Sequence, residues 1–182
     1  ISTPICNVPK MSFGSMPRDG GHLIMTKDEK DIFLKKEPAA SKWIRPYTGA
    51  QEFINGYVRY CLWLNNIKPD ELKMLPNTLE RIRLVKEFRL SSKAASTRNF
   101  ANTPSLFCQI AQPQTDYLLI PRVSSERRSF IPIGYLKKET IANDQVLTIP
   151  ETTLYHFGIL TSTMHMAWVK TVCGRLESRF RY

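Results

Sequence analysis

The chain has 182 residues, of which 42% are hydrophobic and 10% aromatic, and this composition excludes an intrinsically disordered tail and suits one domain with a buried core. Lysine and arginine outnumber aspartate and glutamate by 26 to 16, and the formal net charge of +10 favours an anionic partner, nucleic acid before a membrane. No segment approaches the ~20 consecutive apolar residues of a membrane-spanning helix, so we expect no membrane association.

The cysteines and histidines do not form a pattern typical of a metal site. The four cysteines are widely separated, and none of the three histidines has ligand spacing to them. The apolar neighbours of Cys61 and Cys108 predict buried thiols, which indicates a reducing, cytoplasmic environment. The first residues lack the pattern of a signal peptide, and Ile1 is not an initiator methionine, so we expect a piece of a longer protein.

The first third of the chain alternates loops with short elements. Residues 13–21, FGSMPRDGG, predict a loop before a short strand, HLIM. Residues 28–36 predict a helix with acids at its start and lysines at its end, stopped by Pro38. Proline and glycine punctuate residues 43–56, which lead into a predicted strand at 57–64.

The central region is predicted to be helical. Residues 69–75 make one or two turns, and Asn77 is the candidate N-cap of a longer helix that ends near Ser91. Four apolar residues recur every three positions and predict the buried stripe of this helix: Leu79, Ile82, Val85 and Phe88. The rest of the helix is basic, and two interpretations stay open for it, a solvated face or a face that contacts phosphates.

From Thr115 the pattern changes to strands, which are predicted at 116–123, 129–136 and 145–150. Their prolines indicate sheet edges or bulges. The last part, 152–176, returns to a helical pattern that is bent near Gly158 and stopped by Gly174. These elements predict an α+β fold with a mixed or mainly antiparallel sheet and packed helices, as a single domain over residues 1–182.

No motif typical of an enzyme active site is present. The sequence has no GxGxxG, P-loop, GxSxG or HExxH pattern, and FGSMPRDGG lacks the strand–turn–helix context of a phosphate-binding loop. His156 and His165 do not share a helical face closely enough to chelate a metal, so we interpret them as core or capping residues. Apolar neighbours favour core positions for the tryptophans Trp43, Trp63 and Trp168. The sequence therefore predicts a binding domain.

A charged cluster, Ser-Ser-Glu-Arg-Arg at 124–128, connects two predicted strands. Arginine can donate two hydrogen bonds to guanine, and a carboxylate can accept one from the cytosine amine. Hydroxyls and further cations suit phosphates. The cluster therefore fits contact with the edges of base pairs. The alternative is a solvated hairpin turn in which Glu126 pairs with one of the arginines.

Five blocks of the chain resemble one protein family and cover nearly its whole length in order. They are FGSMPRDGGHLIMT, IRPYTGAQEFINGYVRYCLWL, LERIRLVKEFRLSSKAASTR, DYLLIPRVSSERRSFIPIGYL and LYHFGILTSTMHMAWVKTVCGRLESRFRY. Together they are similar to the target recognition domain of the MmeI-like (type IIL) DNA methyltransferases, which are large single-chain restriction-modification enzymes.

The resemblance implies a division of labour within a longer polypeptide. In this family a class I methyltransferase domain binds S-adenosylmethionine and methylates the N6 amine of an adenine flipped out of the duplex, and many members also carry an endonuclease domain. The present chain would recognise a sequence in double-stranded DNA and would hold neither the catalytic residues nor the cofactor. The methyltransferase domain of the same polypeptide would be its partner.

With this resemblance we expect the charged connection to face DNA, through Arg122, Ser124, Ser125, Glu126, Arg127 and Arg128. Secondary candidates for DNA contact are Lys42, Arg45, Arg59, Arg83, Arg89 and Lys93. Two roles stay open for the terminal arginines, DNA contact or a hinge or interdomain position: Arg175, Arg179 and Arg181. The alternative function is a basic adaptor domain that binds an acidic protein or RNA without catalysis.

Overall fold

The computed structural model describes residues 6–182. The strands in that range are β1 (Ser12–Phe13), β2 (Ile24–Met25), β3 (Ile44–Thr48), β4 (Arg59–Leu62), β5 (Tyr117–Pro121), β6 (Val123–Ser124), β7 (Gly134–Leu136), β8 (Ile141–Ala142), β9 (Val146–Pro150), β10 (Gly174–Leu176) and β11 (Arg179–Arg181). The α-helices in that range are α1 (Lys27–Lys36), α2 (Ala50–Asn55), α3 (Pro69–Lys73), α4 (Pro76–Leu90), α5 (Ala95–Asn99), α6 (Leu154–Leu160) and α7 (Thr163–Val172). Two 3-10 turns, Pro38–Trp43 and Phe100–Asn102, accompany them.

Three small sheets organise the described residues. The first sheet has the order β1-β9-β5-β7 and is antiparallel throughout. The second sheet has the order β2-β4-β3-β8, in which only the β3–β8 pair is parallel. The third sheet joins β6 to the C-terminal hairpin, in the order β10-β11-β6. The prediction of an α+β fold with mainly antiparallel pairing is confirmed.

The central strand β5 is buried on both faces, as expected for an uninterrupted apolar strand. Leu118 and Ile120 pack into a core with Met166 and Val169 of α7. Tyr117 and Leu119 face the other way, into a core that α2 covers with Phe53. A separate core lies between the second sheet and helices α1 and α4. Helix α2 is therefore fixed beside the first sheet.

Asn143 holds the first and second sheets together. Its backbone N–H donates to the carbonyl of Thr48 at 2.9 Å, at the end of β3. Gly14 and Gly49 both lie so close to Asn143 that a Cβ on either glycine would overlap its atoms. This close approach explains why glycine stands at both positions, and it places the start of α2 next to the end of β8.

Helix α4 differs in two ways from its prediction. Its buried residues are Thr78, Ile82, Val85 and Arg89, whereas the predicted stripe residues Leu79 and Phe88 are exposed. Its N-terminus is not capped by Asn77. Instead the buried Glu37 carboxylate accepts hydrogen bonds from the backbone N–H groups of Asn77 and Thr78, at 2.7 and 3.0 Å. A carboxylate from another element therefore satisfies donors that a side chain within the helix was expected to satisfy.

The connection between β5 and β7 is not the tight hairpin that the sequence predicted. The two strands pair only from Tyr117–Leu136 to Leu119–Gly134. Beyond this point Pro121 and Pro132 have no N–H to continue the ladder, and the chain pairs instead with the last strand, through β6. Pro121 therefore ends a central strand and does not mark a sheet edge.

The C-terminal helical segment is interrupted at Thr161–Ser162, not at Gly158, which lies inside α6. The Ser162 hydroxyl accepts from the backbone N–H of His165 at 3.1 Å and so begins α7. Helix α7 ends at Val172, and the predicted stop residue Gly174 opens the hairpin β10–β11.

Candidate nucleic-acid interface

The predicted contact segment forms a short turn at the surface. The Ser125 hydroxyl accepts a hydrogen bond from the backbone N–H of Arg127 at 3.2 Å. The Ser125 carbonyl accepts one from the backbone N–H of Arg128, also at 3.2 Å. Glu126 and Arg127 are exposed, and Arg128 is half-buried. Ser125 therefore shapes the turn that presents the three charged side chains, which we call the charged turn (residues 125–128).

Glu126 is held as a carboxylate. Its own backbone N–H and the Ser178 hydroxyl favour the charged form, and the nearby charges of Arg127 and Arg179 add to the effect, so the pKa of Glu126 lies below the usual glutamate value. At neutral pH the side chain of Glu126 can therefore only accept hydrogen bonds.

The C-terminal hairpin lies directly beside the charged turn. Arg181 is opposite Val123 in the β6–β11 pair, and the backbone N–H of Tyr182 donates to the carbonyl of Arg122 at 2.8 Å. Arg175 stacks over the Phe180 ring at 4.0 Å, and Arg179 pairs with Glu177 at 2.7 Å. The fold thus brings the terminal arginines, for which the sequence left two roles open, next to residues 122–128.

A cleft of about 530 Å³ opens between α2, the start of β6 and the C-terminal hairpin. Its polar lining consists of three arginines and three amides: Arg122, Arg179, Arg181, Gln51, Asn55 and Gln145. Among the described residues that line it there is no carboxylate. We call this space the arginine cleft. Its charge and donor set suit an anion or the polar edge of a base.

The three amides of the arginine cleft were missed by sequence reasoning. Gln51 and Asn55 are four residues apart on α2, so they lie on one face of that helix. Gln145 comes from the β8–β9 connection, far along the chain. The four-residue spacing of Gln51 and Asn55 would have placed both on one helix face. Residues 43–56 were instead predicted to be irregular, so that helix face was not recognised.

Arg122 is the most firmly held arginine of the cleft. One guanidinium nitrogen donates to the carbonyl of Asp144 at 2.9 Å, and the guanidinium stacks over the Phe13 ring at 4.6 Å. These contacts fix the side chain before any ligand arrives, which lowers the entropy cost of binding.

Ser124 does not reach the surface, contrary to expectation. It is 3% exposed because it is paired opposite Phe180 in the third sheet, and its hydroxyl has no hydrogen-bond partner among the described residues. Ser124 is therefore a strand residue beneath the charged turn.

Arg89 is also buried, so the expectation that it contacts DNA does not fit the structure. Its relative exposure is 0%. Its guanidinium donates to five backbone carbonyls at 2.7–3.0 Å, those of Pro17, Arg18, Phe100, Thr103 and Leu106. All five guanidinium N–H donors of an arginine can be used in this way. Arg89 therefore joins α4 to the loops at 17–18 and 100–106.

Arg83 and Lys93 lie apart from the charged turn. Arg83 is exposed on α4 and forms ion pairs with Glu80, at 2.7 Å, and with Glu87. Lys93 is exposed just beyond the end of α4. Helix α4 packs on the second sheet and on α3, α5 and the 3-10 turn at 100–102. The two cations therefore belong to a different part of the surface from the arginine cleft.

The remaining secondary candidates have partners within the chain. Lys42 forms an ion pair with Glu71, and Arg45 donates to the carbonyl of Lys42 at 3.3 Å. Arg59 lies 3.3 Å from the buried carboxylate of Glu52, which also accepts from the Gly49 N–H at the start of α2. Arg59 therefore supports the helix that carries Gln51 and Asn55.

The structure also places the histidines and tests for a metal site. No group of three metal-ligating side chains occurs among residues 6–182. His156 accepts from the Thr153 N–H at 3.1 Å and caps α6, whereas His165 lies 2.8 Å from the Tyr182 hydroxyl.

Trp168 is 65% exposed, so its predicted core position is wrong. None of the helices among residues 6–182 has the length and hydropathy of a membrane-spanning segment.

Cys61 and Cys108 have different environments. Cys61 is buried, as predicted, and burial raises the pKa of its thiol. Cys108 is only half-buried, and burial raises the pKa of its thiol as well. Both thiols are therefore poor nucleophiles at neutral pH.

Comparison with known proteins identifies the family. The family model described as "MmeI, target recognition domain" matches residues 1–182. DNA methyltransferase A of Bacillus subtilis (strain 168) is 40% identical over 179 residues, which cover 98% of this chain and 20% of that protein. A solved structure of the type IIL restriction-modification enzyme MmeI in complex with DNA superposes with a TM-score of 0.96 at 46% identity, covering 100% of this chain and 24% of that one.

The present chain thus spans about a quarter or less of the length of these two relatives. The resemblance inferred from the five sequence blocks is confirmed. The chain belongs to the family of MmeI target recognition domains.

Proposed function

We propose that this chain recognises a sequence in double-stranded DNA for a site-specific adenine-N6 DNA methyltransferase of a restriction-modification system. The observation that carries the proposal is the position of the charged turn beside the arginine cleft. This arrangement presents guanidinium, carboxylate and amide groups on neighbouring elements. The relatives support it, since one is a DNA methyltransferase and the other was solved with DNA bound.

The charged turn supplies groups that discriminate between bases. A guanidinium can donate two parallel hydrogen bonds to guanine O6 and N7, which suits Arg127 and Arg128. The carboxylate of Glu126, with its lowered pKa, can accept from cytosine N4. Donor and acceptor thus stand on the same turn, so the turn can contact both bases of one G·C pair.

The arginine cleft supplies a second set of contacts. Side-chain amides pair with adenine N6 and N7, which suits Gln51 and Asn55 on α2. Arg179 and Arg181 lie on β11, outside the charged turn. As exposed cations they suit contact with phosphates. We propose that these arginines position the duplex and that the amides and the charged turn contact base edges.

Catalysis belongs elsewhere in this proposal. The chain covers 20% of its methyltransferase relative, so a further domain of the same polypeptide would bind S-adenosylmethionine and methylate the adenine. An endonuclease domain in that polypeptide would add cleavage. The protein would act in the cytoplasm, where bacterial DNA lies.

A competition experiment separates this function from a basic adaptor or an RNA-binding domain. The chain is bound to a labelled duplex at about 0.15 M salt and challenged with unlabelled duplex, single strands, duplex RNA and heparin at matched charge. The proposal predicts that duplex DNA displaces the label best. Equal displacement by heparin would indicate an adaptor for an acidic partner, and stronger displacement by RNA would indicate an RNA-binding domain; either result rejects the proposal.

A matched pair of variants assigns the binding to the proposed surface. Arg181→Ala removes an exposed cation of the arginine cleft, whereas Arg83→Ala removes an exposed cation of α4. The first variant is expected to weaken duplex binding and the second to leave it unchanged. The opposite order would move the DNA-binding surface to α4.

A further inference from the structure

Helices α6 and α7 expose an apolar surface that DNA recognition does not explain. Six large apolar side chains project from it: Leu154, Tyr155, Ile159, Met164, Trp168 and Val172. Met164 is 82% exposed, Leu154 78% and Trp168 65%. We call these six residues the apolar helix face. Because α6 and α7 contact each other, these side chains gather large apolar groups on two neighbouring helices, which is typical of an interaction site.

Helix α7 is apolar on two opposite sides. Met166 and Val169 are buried against the first sheet. Met164, Trp168 and Val172, which are spaced four residues apart, lie on the side away from that core. Apolar residues on two opposite sides of a helix are typical of a helix that packs against partners on both sides. The structure provides a partner for one side only among the described residues.

The charge of these helices argues against DNA or lipid as the partner. Helix α6 contains no aspartate, glutamate, lysine or arginine, and α7 contains only Lys170. A phosphate-binding surface needs several cations. A helix that lies in a membrane interface combines its apolar face with a face rich in lysine and arginine. The apolar helix face has the composition of the buried centre of a protein interface, where aromatic residues and methionine are enriched and charged residues are depleted.

Both ends of the described chain lie against these helices. Residues 6–9 line a cavity of about 450 Å³ together with Tyr155 and Ile159 of α6. At the other end, the Tyr182 hydroxyl lies 2.8 Å from Nε2 of His165 on α7. In the two relatives the matching segment is 20% and 24% of a longer chain. A polypeptide that continues from either end therefore leaves beside the apolar helix face, where its effective concentration is high.

We propose that the apolar helix face is the surface on which another domain of the same polypeptide packs. The occupant is one folded domain of that polypeptide outside residues 1–182, and it covers Met164 and Trp168 with an apolar surface of its own. The proposal rests on the exposed side chains, on the position of the chain ends and on the length of the relatives. It does not depend on DNA recognition, so either can fail alone.

Oxidation by hydroxyl radicals in the full-length polypeptide tests this inference. Met74, at the end of α3, is 78% exposed and is the matched control for Met164 at 82%. The ratio of Met164 to Met74 oxidation is measured in the native protein and divided by the same ratio in urea. A covered face lowers this quotient about tenfold, because the core of an interface is packed like a protein interior. A quotient near one overturns the proposal.

Dilution of the same sample separates an intramolecular partner from a second copy. If another domain of the polypeptide covers Met164, its protection does not change with protein concentration. Protection that disappears on dilution means that a second copy covers the face, and this result also overturns the proposal.

A pair of variants gives an independent readout. Met164→Lys with Trp168→Lys changes two exposed side chains of the apolar helix face, and Met74→Lys is the matched control. In the full-length polypeptide the double variant is expected to undergo trypsin cleavage between domains several-fold faster than the control, because a charge in a packed interface separates the domains. Equal cleavage rates for the two proteins overturn the proposal.

Discussion

Phe180 lies directly opposite Ser124 in the antiparallel pair between β11 and β6. Both residues are buried, so the last strand of the chain supports the strand from which the charged turn begins. Ser178, between β10 and β11 of the same hairpin, helps to hold the pKa of Glu126 below its usual value. The C-terminal hairpin is therefore part of the candidate interface and sets the orientation of the charged turn.

Charge reversal in the charged turn tests its proposed role in the choice of sequence. The double variant Arg127→Glu, Arg128→Glu removes two guanidinium donors, and one lost bidentate contact to guanine is worth about 1–3 kcal/mol of discrimination. In the full-length polypeptide, whose methyltransferase activity is part of the proposed function, the set of methylated sites is expected to change or to disappear. Sequencing of methylated adenines measures the result. Arg83→Glu on α4 is the control and is expected to preserve the pattern. An unchanged pattern in the double variant would remove the turn from recognition.

Arg181 is expected to act on phosphate and not on sequence. Arg181→Ala should weaken binding to all duplexes by a similar factor. It should also make the negative slope of log affinity against log salt shallower by about one. Titrations at several salt concentrations, with two unrelated duplexes, give both quantities. A loss confined to one of the duplexes would show instead that Arg181 contacts a base edge.

Arg89 is expected to control stability. Arg89→Ala leaves five backbone carbonyls without their donor, and we expect the free energy of unfolding to fall by about 3 kcal/mol or more. Arg89→Lys keeps the charge but supplies three donors in a different geometry, so it should also destabilise the fold. Arg83→Ala, which breaks only exposed ion pairs, should change the free energy of unfolding far less than Arg89→Ala. Urea unfolding of the three variants checks this order, and an Arg89→Ala variant as stable as Arg83→Ala would contradict it.

His165 is expected to make stability depend on pH. Burial disfavours the imidazolium form and holds the pKa of His165 below the ordinary value of about 6.5. The unfolded chain therefore binds this proton more readily than the folded chain. The contribution is fully present above pH ~6.5 and is lost as the pH falls through and below that value. Compared with His165→Gln, the unmodified chain should lose more stability between pH 7.5 and 5.5, as urea unfolding at both values would show. Parallel losses in the two proteins would contradict this assignment.

Local patterns were sufficient to predict several elements of the fold. Acids at the start and lysines at the end of α1 marked that helix, and a Thr26–Glu29 capping box fixes its beginning. An uninterrupted apolar run marked β5. The α+β class followed from the order of such elements, and the family from long blocks of sequence.

Long-range pairing was not predictable from these patterns. In the sequence, Arg89 is indistinguishable from the other cations of a basic helix. It is buried because the loops at 17–18 and 100–106 approach α4. The sequence predicts Ser124 in a polar turn, but the pairing of β11 with β6 buries it. The arginine cleft combines side chains from α2, the β8–β9 connection and β11, which no local pattern relates to one another.

Selection of duplexes from a randomised DNA pool by the 182-residue chain, at about 0.15 M salt, is the most direct test of sequence recognition. The bound duplexes are sequenced after several rounds. We predict enrichment of one short motif, and loss or change of that motif with the Arg127→Glu, Arg128→Glu variant. Binding without enrichment of any motif would contradict the central claim, because it would reduce the arginine cleft and the charged turn to a surface that contacts phosphates alone.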